Sequence, residues 1–273
     1  MVTEFELRLA PVGPLVELGA FFFAPEQGAR VLHFANELTR GLSDDFGVFI
    51  AGLSAPPAPF VPSEWQYRPC YALLSVGFGA REPHAQQADV VRSALRPAFE
   101  FVTPLPYTEL QKLFDASVPW GIHAYEKALS FEHLSEDAIG AITRCFSAKP
   151  TPQCFMPILT LGGAYARAAE DVVAFGGKRS TRFVVNFTGM TDDPAQYAST
   201  VEWARSAYRE LLPHAASSGS YVNYQVEADV ARVRASYGPA KYARLAAIKA
   251  QYDPGNLFRL NANIEPEPAA SSR

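Results

Sequence analysis

The chain has 273 residues, 48% of them hydrophobic, and a formal net charge of -4 from 24 Lys plus Arg against 28 Asp plus Glu. That length suits one large or two small globular domains, and the charges are scattered without a run of one sign, which speaks against nucleic acid or an anionic membrane as partner. The longest early apolar stretch, Leu15 to Ala24, is broken by Glu17 and falls short of the ~20 residues of a membrane span; no signal-peptide pattern is visible, and Cys70, Cys145 and Cys154 are too few and too widely spaced for a disulfide framework or paired zinc ligands, so the expected compartment is the cytoplasm.

In chain order, Val2-Thr3-Glu4-Phe5-Glu6-Leu7-Arg8-Leu9 alternates apolar and polar residues and predicts a half-buried strand. Pro11, Gly13 and Pro14 break it, and the apolar run from Leu15 to Ala24 predicts a second strand stopped at Pro25. Pro25 then opens a helix in which Val31, Leu32, Ala35 and Leu38 recur at helical spacing until Gly41. Phe46 to Leu53 and Tyr71 to Phe78 predict two further strands, separated by a loop rich in proline around Pro56, Pro57 and Pro59. This order suggests antiparallel pairing.

The same grammar returns later. A helix is predicted from about Ser135 to Phe146, followed by strands at Phe155 to Leu161 and Arg182 to Thr188. Asp193-Pro194-Ala195-Gln196 supplies a helix start, after which Tyr197, Val201, Ala204, Tyr208 and Leu211 share one face. The pattern predicts an α+β domain: a mostly antiparallel sheet with helices covering one side. Residues 265–273, rich in Pro, Ala and Ser, read as a disordered tail.

Self-contained catalytic sets are hard to find. His33, His84, His123, His133 and His214 are isolated from one another and from carboxylate pairs, so each is read as structural or superficial, and no metal site is expected. Gly162-Gly163 lacks the spacing of a phosphate loop and marks a bend at a strand end, while Gly176-Gly177 marks a turn. The more informative segment is Tyr221-Val222-Asn223-Tyr224-Gln225. Read as a strand, it puts Tyr221 and Asn223 on one face and Tyr224 on the other. By spacing alone, such tyrosines are more often core or interface residues than catalysts.

The residues C-terminal to this segment shift the balance: Tyr237-Gly238, Tyr242, Arg244-Leu245, Ile248-Lys249, Tyr252-Asp253-Pro254, Asn256, Phe258, Asn261 and Ile264. With the tyrosine segment this series resembles the C-terminal signature of the berberine bridge enzyme-like FAD-linked oxidases. Tyr242, Leu245, Ile248 and Tyr252 are expected on one helical face, with Asp253-Pro254 stopping the helix. Pro106-Tyr107-Thr108-Glu109-Leu110-Gln111, Pro119-Trp120-Gly121, Tyr125-Glu126-Lys127 and Leu161-Gly162-Gly163-Ala164 with Ala174-Phe175 and Arg179 also resemble family segments, so the likeness runs from Val2 to Ile264.

The resemblance implies a substrate-binding α+β domain over 1–220 and a C-terminal segment, 221–264, whose helix docks back on a flavin domain. It also implies that the region holding the FAD pyrophosphate precedes Val2 and is absent from this chain, as in a truncated product or a misassigned start, leaving the FAD site incomplete. In the complete fold, a C–H bond of a small molecule (a sugar, an alcohol or a secondary metabolite) is oxidised by hydride transfer to FAD, with oxygen as acceptor. By resemblance Tyr224 is the catalytic base, and Tyr221 or Asn223 contacts the flavin or shapes the site. Tyr125, Tyr165 and Arg167 are placed at the substrate. A phenol's ordinary pKa of about 10 requires a nearby positive charge or hydrogen bond to act at neutrality, with Arg167 and Lys127 as candidates. One departure stands out: the plant alkaloid-oxidising branch carries a Glu where this chain has Arg167, which favours chemistry nearer to bacterial members. The alternatives are a binding module with an exposed apolar face, a split enzyme completed by a separate flavin-binding chain, and a homo-oligomer.

Overall fold

The computed structural model describes residues 3–216, 221–224 and 230–267. Seven strands and eight helices follow one another as β1 (Leu15–Phe23), α1 (Gly28–Arg40), β2 (Phe46–Ser54), β3 (Pro69–Gly77), α2 (Arg81–Leu95), β4 (Phe99–Pro106), α3 (Tyr107–Gln111), β5 (His123–Phe131), α4 (Glu136–Ser147), β6 (Met156–Thr160), α5 (Gly163–Arg167), β7 (Phe183–Thr191), α6 (Tyr197–Leu211), α7 (Val230–Tyr237) and α8 (Pro239–Tyr252). The strands form one sheet in the order β4-β1-β3-β2-β6-β7-β5, and every pairing is antiparallel. The predicted α+β class and antiparallel sheet are what the molecule adopts.

Period-2 alternation sorts the strand side chains between two layers. Phe21 and Phe23 of β1, Ile50 of β2, Tyr71 and Leu73 of β3, Tyr125 and Leu129 of β5 and Phe183, Val185 and Phe187 of β7 join the core under α1, α2, α4 and α6. The intervening Leu18, Ala20, Phe22, Cys70, Ala72 and Leu74 belong to a second core on the opposite face, capped by Ala55, Val61 and Trp65 of the proline-rich loop and by Leu110 of α3. Central strands are therefore apolar on both faces. The helices enter as their sequences dictate: Ser135 caps α4 by accepting from the Ala138 N–H at 3.2 Å, and Asp193 accepts from the Ala195 N–H at 2.9 Å just ahead of α6. Asn36 of α1 ties itself to the β5–α4 connection through both its amide atoms, donating to the Leu134 carbonyl at 2.7 Å and accepting from the Leu134 N–H at 3.0 Å.

Two expectations need correction, and one strand went unread. Residues 3–14 form no strand and are exposed, with Phe5 at 78% and Leu9 at 85%. Alternation alone does not make a strand: neither edge strand, β4 or β5, takes residues 3–14 as a neighbour. β4 went unread because Pro104 and Pro106 demote a strand pattern, yet an edge strand tolerates proline. Glu265 and Glu267, assigned to the tail, are held to α8 by N–H donation to the Tyr242 hydroxyl at 3.3 Å and to the Ala246 carbonyl at 3.2 Å; the rest of that tail, residues 268–273, lies outside the described residues. No helix among the described residues is long and apolar enough to cross a membrane.

Candidate functional site

The paired strands β5 and β7 carry polar side chains on the face away from the helices. Glu126 lies opposite Thr188, and Ala128 opposite Asn186. Thr188 and Asn186 are 1% and 2% exposed in a strand that is buried along its whole length. Buried polar groups are costly unless hydrogen-bonded. The Thr188 hydroxyl sits 3.4 Å from Glu126 Oε1 and 3.3 Å from Asn186 Oδ1, and its single proton serves one acceptor at a time. A polar row in a strand that packing alone would make apolar marks a place where stability yields to function.

Against this row packs the tyrosine segment. It is not a strand: Val222–Tyr224 is a single 3-10 turn seated on β5, closed by the Tyr224 N–H donating to the Tyr221 carbonyl at 2.9 Å. The turn folds both phenols to the same side, with ring centroids 5.6 Å apart at 77°, and this overturns their expected separation onto opposite faces. Gln225 lies outside the described residues. Asn223 Nδ2 donates to the Tyr221 hydroxyl at 2.8 Å, Tyr221 stacks on Phe175 at 5.3 Å, and Phe175 meets Tyr165 edge-on at 5.8 Å. The Arg179 guanidinium lies over both Tyr165 and Phe175, at 4.8 and 5.4 Å, and its buried Nε has no hydrogen-bond partner among the described residues. The turn before it requires glycine. A Cβ on Gly176 would stand 2.8 Å from the Ser236 carbonyl oxygen, and Gly177, at φ +87°, donates its N–H to that same oxygen at 2.8 Å.

Burial pushes the Tyr224 phenol above its ordinary pKa, and the neighbouring Glu126 carboxylate and Tyr221 push it further the same way. The positive charge expected to lower it is elsewhere. Arg167 pairs with Asp44, holding that carboxyl below its ordinary range, at the rim of a cleft of about 530 Å³ between the end of α1 and the Gly162-Gly163 bend. Lys127 is on the helix side of β5, its ammonium 5.0 Å from the Tyr208 ring. Tyr125, expected at the substrate, is also on the helix side, 4% exposed and accepting from Arg205 Nε at 3.2 Å; alternation gives its place on the site face to Glu126. Tyr165 borders both the aromatic cluster and the cleft, but its hydroxyl is committed to the Lys178 carbonyl at 2.9 Å. Glu126, Thr188 and Asn186 were missed by sequence reading. For Asn186 and Thr188 the signal was available as polar residues two apart in Phe183-Val184-Val185-Asn186-Phe187-Thr188.

The C-terminal motif is a compact knot. Asp253 ends α8, accepts from the Leu257 N–H at 2.8 Å and the Phe258 N–H at 3.0 Å, and pairs with Lys249, which donates also to the Phe258 carbonyl at 2.6 Å. Of the face expected to pack, Tyr242 is buried with Val233 and Ala246, whereas Ile248 and Tyr252 are exposed along with Leu257 and Phe258. The Lys249 hydrogen bond above all, and the two N–H donors, hold the Asp253 carboxyl below its ordinary pKa. A depressed folded-state pKa stabilises above the unfolded value and loses that contribution as pH falls through the folded one. The Leu257 and Phe258 amides are accordingly expected to keep their hydrogen-exchange protection down to about pH 4 and lose it below. In Asp253→Asn, protection should be weak at every pH; persistence of the wild-type profile would contradict the knot.

Residues 220–265, which include the turn and the knot, match the berberine and berberine-like family. An FAD-linked oxidoreductase of Dictyostelium discoideum is 24% identical over 267 residues, covering 97% of this chain and 55% of that protein. The structure of berberine bridge enzyme from Eschscholzia californica superposes with a TM-score of 0.74 at 16% identity, over 97% of this chain and 58% of that one. A chitooligosaccharide oxidase gives 0.73 at 15% identity, over 94% and 56%. The fold is that of the substrate domain of FAD-linked oxidases. The chain is thus similar to berberine bridge enzyme-like FAD-linked oxidoreductases in its C-terminal segment and in fold, and it spans about half the length of the relatives it matches, 55% in the Dictyostelium case.

Proposed function

We propose that this chain forms the substrate side of an FAD-dependent oxidoreductase that oxidises a C–H bond of a hydroxylated small molecule, a sugar, an alcohol or a secondary metabolite, with oxygen as final acceptor. The observation that carries the reading is the polar row of half-buried Glu126 and buried Thr188 and Asn186, beside the turn that carries Tyr224 in the segment matched by the berberine-like family. Residues here suit a flavin ring: the Tyr221 and Phe175 faces offer stacking surface, and the buried Arg179 Nε is a donor with no acceptor among the described residues. Tyr221 and Asn223 are the residues that would border it. Bound there, the flavin supplies a hydride acceptor. The chain's own share is to orient the substrate through Asn186 and Thr188, to exclude water with the aromatic cluster, and to handle the substrate proton at Tyr224 and its neighbour.

Exposed Ile248, Tyr252, Leu257 and Phe258 on and beyond α8 are the surface we assign to contact with the flavin-binding region, in the same polypeptide or in a separate chain. The cytoplasm is the proposed compartment, supported by three buried, unpaired cysteines. The test is anaerobic mixing of the FAD-loaded protein with a panel of sugars, alcohols and amines. Bleaching of the flavin band near ~450 nm by a hydroxylated compound is expected; retention of oxidised flavin against the whole panel would remove the reading.

A further inference from the structure

Glu126 is the only carboxylate that the described strands β5 and β7 present on the site face, and it stands between two alanines, Ala124 and Ala128, that leave space around it. Thr188 engages its Oε1 at 3.4 Å, and no Lys, Arg or His side chain among the described residues pairs with it. Its neighbour Lys127, which would neutralise it in a loop, is turned to the opposite face by the strand's alternation and lies over Tyr208. A half-buried carboxylate that shares one hydroxyl proton at Oε1 and has no cation paired with it among the described residues has its second oxygen available to a ligand. The turn that carries Tyr224 is seated on β5, and the Glu126 carboxylate is among the groups that raise the Tyr224 phenol, although no hydrogen bond joins the two. A carboxylate acceptor neighbouring a phenol donor suits a group that both donates and accepts, such as an alcohol hydroxyl.

We propose that Glu126 is the proton acceptor of the reaction, with Tyr224 donating a hydrogen bond to the same substrate oxygen; this rests on the oxidoreductase reading above. The substrate O–H bond breaks and its proton forms a carboxylic acid on Glu126. The oxygen's electron pair becomes the second bond of the carbonyl as the C–H pair departs as hydride to the flavin oxidant. Tyr224 keeps its own proton. The division of labour follows from chemistry, since in a carboxyl–phenol pair the phenol is the far weaker acid, and the groups around Tyr224 hold its proton on. Those titratable groups are Glu126 from β5 and Tyr221 from its own turn; β7 contributes Asn186 and Thr188, which do not titrate.

Glu126→Gln keeps the size and the Thr188 contact while removing the charge. In the full chain labelled with 13C-tyrosine, the Tyr224 resonance is identified by its loss in Tyr224→Phe. Its titration is expected to move to lower pH in Glu126→Gln, and an unchanged midpoint would overturn the pairing. In the FAD-loaded protein, Glu126→Gln is expected to slow flavin reduction by about 10²-fold or more and to abolish the acid-side fall in rate, with Glu126→Asp recovering part of it. Wild-type rate and pH profile in Glu126→Gln would overturn the proposal. A wild-type protein that no compound reduces would strike the oxidoreductase reading, whereas a Tyr224 midpoint indifferent to Glu126 strikes this inference alone.

Discussion

Tyr224→Phe is expected to slow reduction of bound flavin by substrate about 10²-fold while leaving FAD affinity and the unfolding midpoint nearly unchanged. The size is that of losing one donor aimed at an oxygen that gains charge during reaction, typically about 10²–10³ in rate. The phenylalanine ring preserves the edge contact with Tyr221 at 5.6 Å, and the hydroxyl of Tyr224 makes no hydrogen bond among the described residues, so packing has little to lose. Stopped-flow reduction under anaerobic conditions gives the rate directly, and a wild-type rate would remove Tyr224 from the site. Because the surroundings hold the phenol protonated, the residual activity should keep the wild-type dependence on alkaline pH. A Tyr224 acting as an ionised base would instead show a rate rising toward its own pKa.

The largest structural effect is expected at Gly189. A Cβ there would lie 2.5 Å from the backbone oxygen of Thr200 and 2.9 Å from its carbonyl carbon, so the obstacle is the α6 backbone and not a side chain that could swing away. The first turn of α6 is itself fixed, with the Thr200 hydroxyl donating to the Tyr197 carbonyl at 2.8 Å. Displacing the helix would unseat Trp203, Ala204, Ala207 and Leu211 from the main core and break the Trp203 Nε1 bond to the Cys145 carbonyl at 2.8 Å. Gly189→Val is therefore expected to cost about 3 kcal/mol or more, at the upper end for an overpacked core. Denaturant unfolding checks it, and a midpoint equal to the wild type's would show that α6 does not cross β7 as closely as the structure has it.

Much of the fold was legible because apolar runs and helical spacing report burial directly. Leu15–Phe23, Phe46–Ser54 and Phe183–Thr191 announce strands by mostly apolar runs with few polar interruptions, and Tyr197, Val201, Ala204, Tyr208 and Leu211 do pack on the core from one helix face. The errors came from context that one segment does not contain. Alternation in residues 3–9 is as regular as in a true strand, but a strand also needs a hydrogen-bonded neighbour, and these residues pair with neither edge; Pro104 argues against a strand except at an edge, which is where β4 lies. The Tyr221-Val222-Asn223-Tyr224 pattern marked, by resemblance, a segment that lies in the matched region 220–265, while local periodicity gave it the wrong shape. Glu126 was within the quoted Tyr125-Glu126-Lys127, yet choosing Glu126 over Tyr125 requires knowing which face of β5 the helices cover, and that is set by α4 and α6 far along the chain. Arg167 was expected to act at the substrate because of its position after the glycine pair. Its actual partner, Asp44, is brought to it by the β2–β6 pairing, which no local pattern encodes.

Whether this chain supplies one wall of a flavin site is tested most directly by the visible spectrum of the purified protein after incubation with FAD and desalting. A retained flavin band near ~450 nm is expected when the flavin-binding region is supplied in the same polypeptide or as a separate chain, with Tyr221 fluorescence quenched by the bound ring. A protein that remains colourless with that region present and folded would contradict a flavin wall built from Tyr221, Phe175 and Arg179.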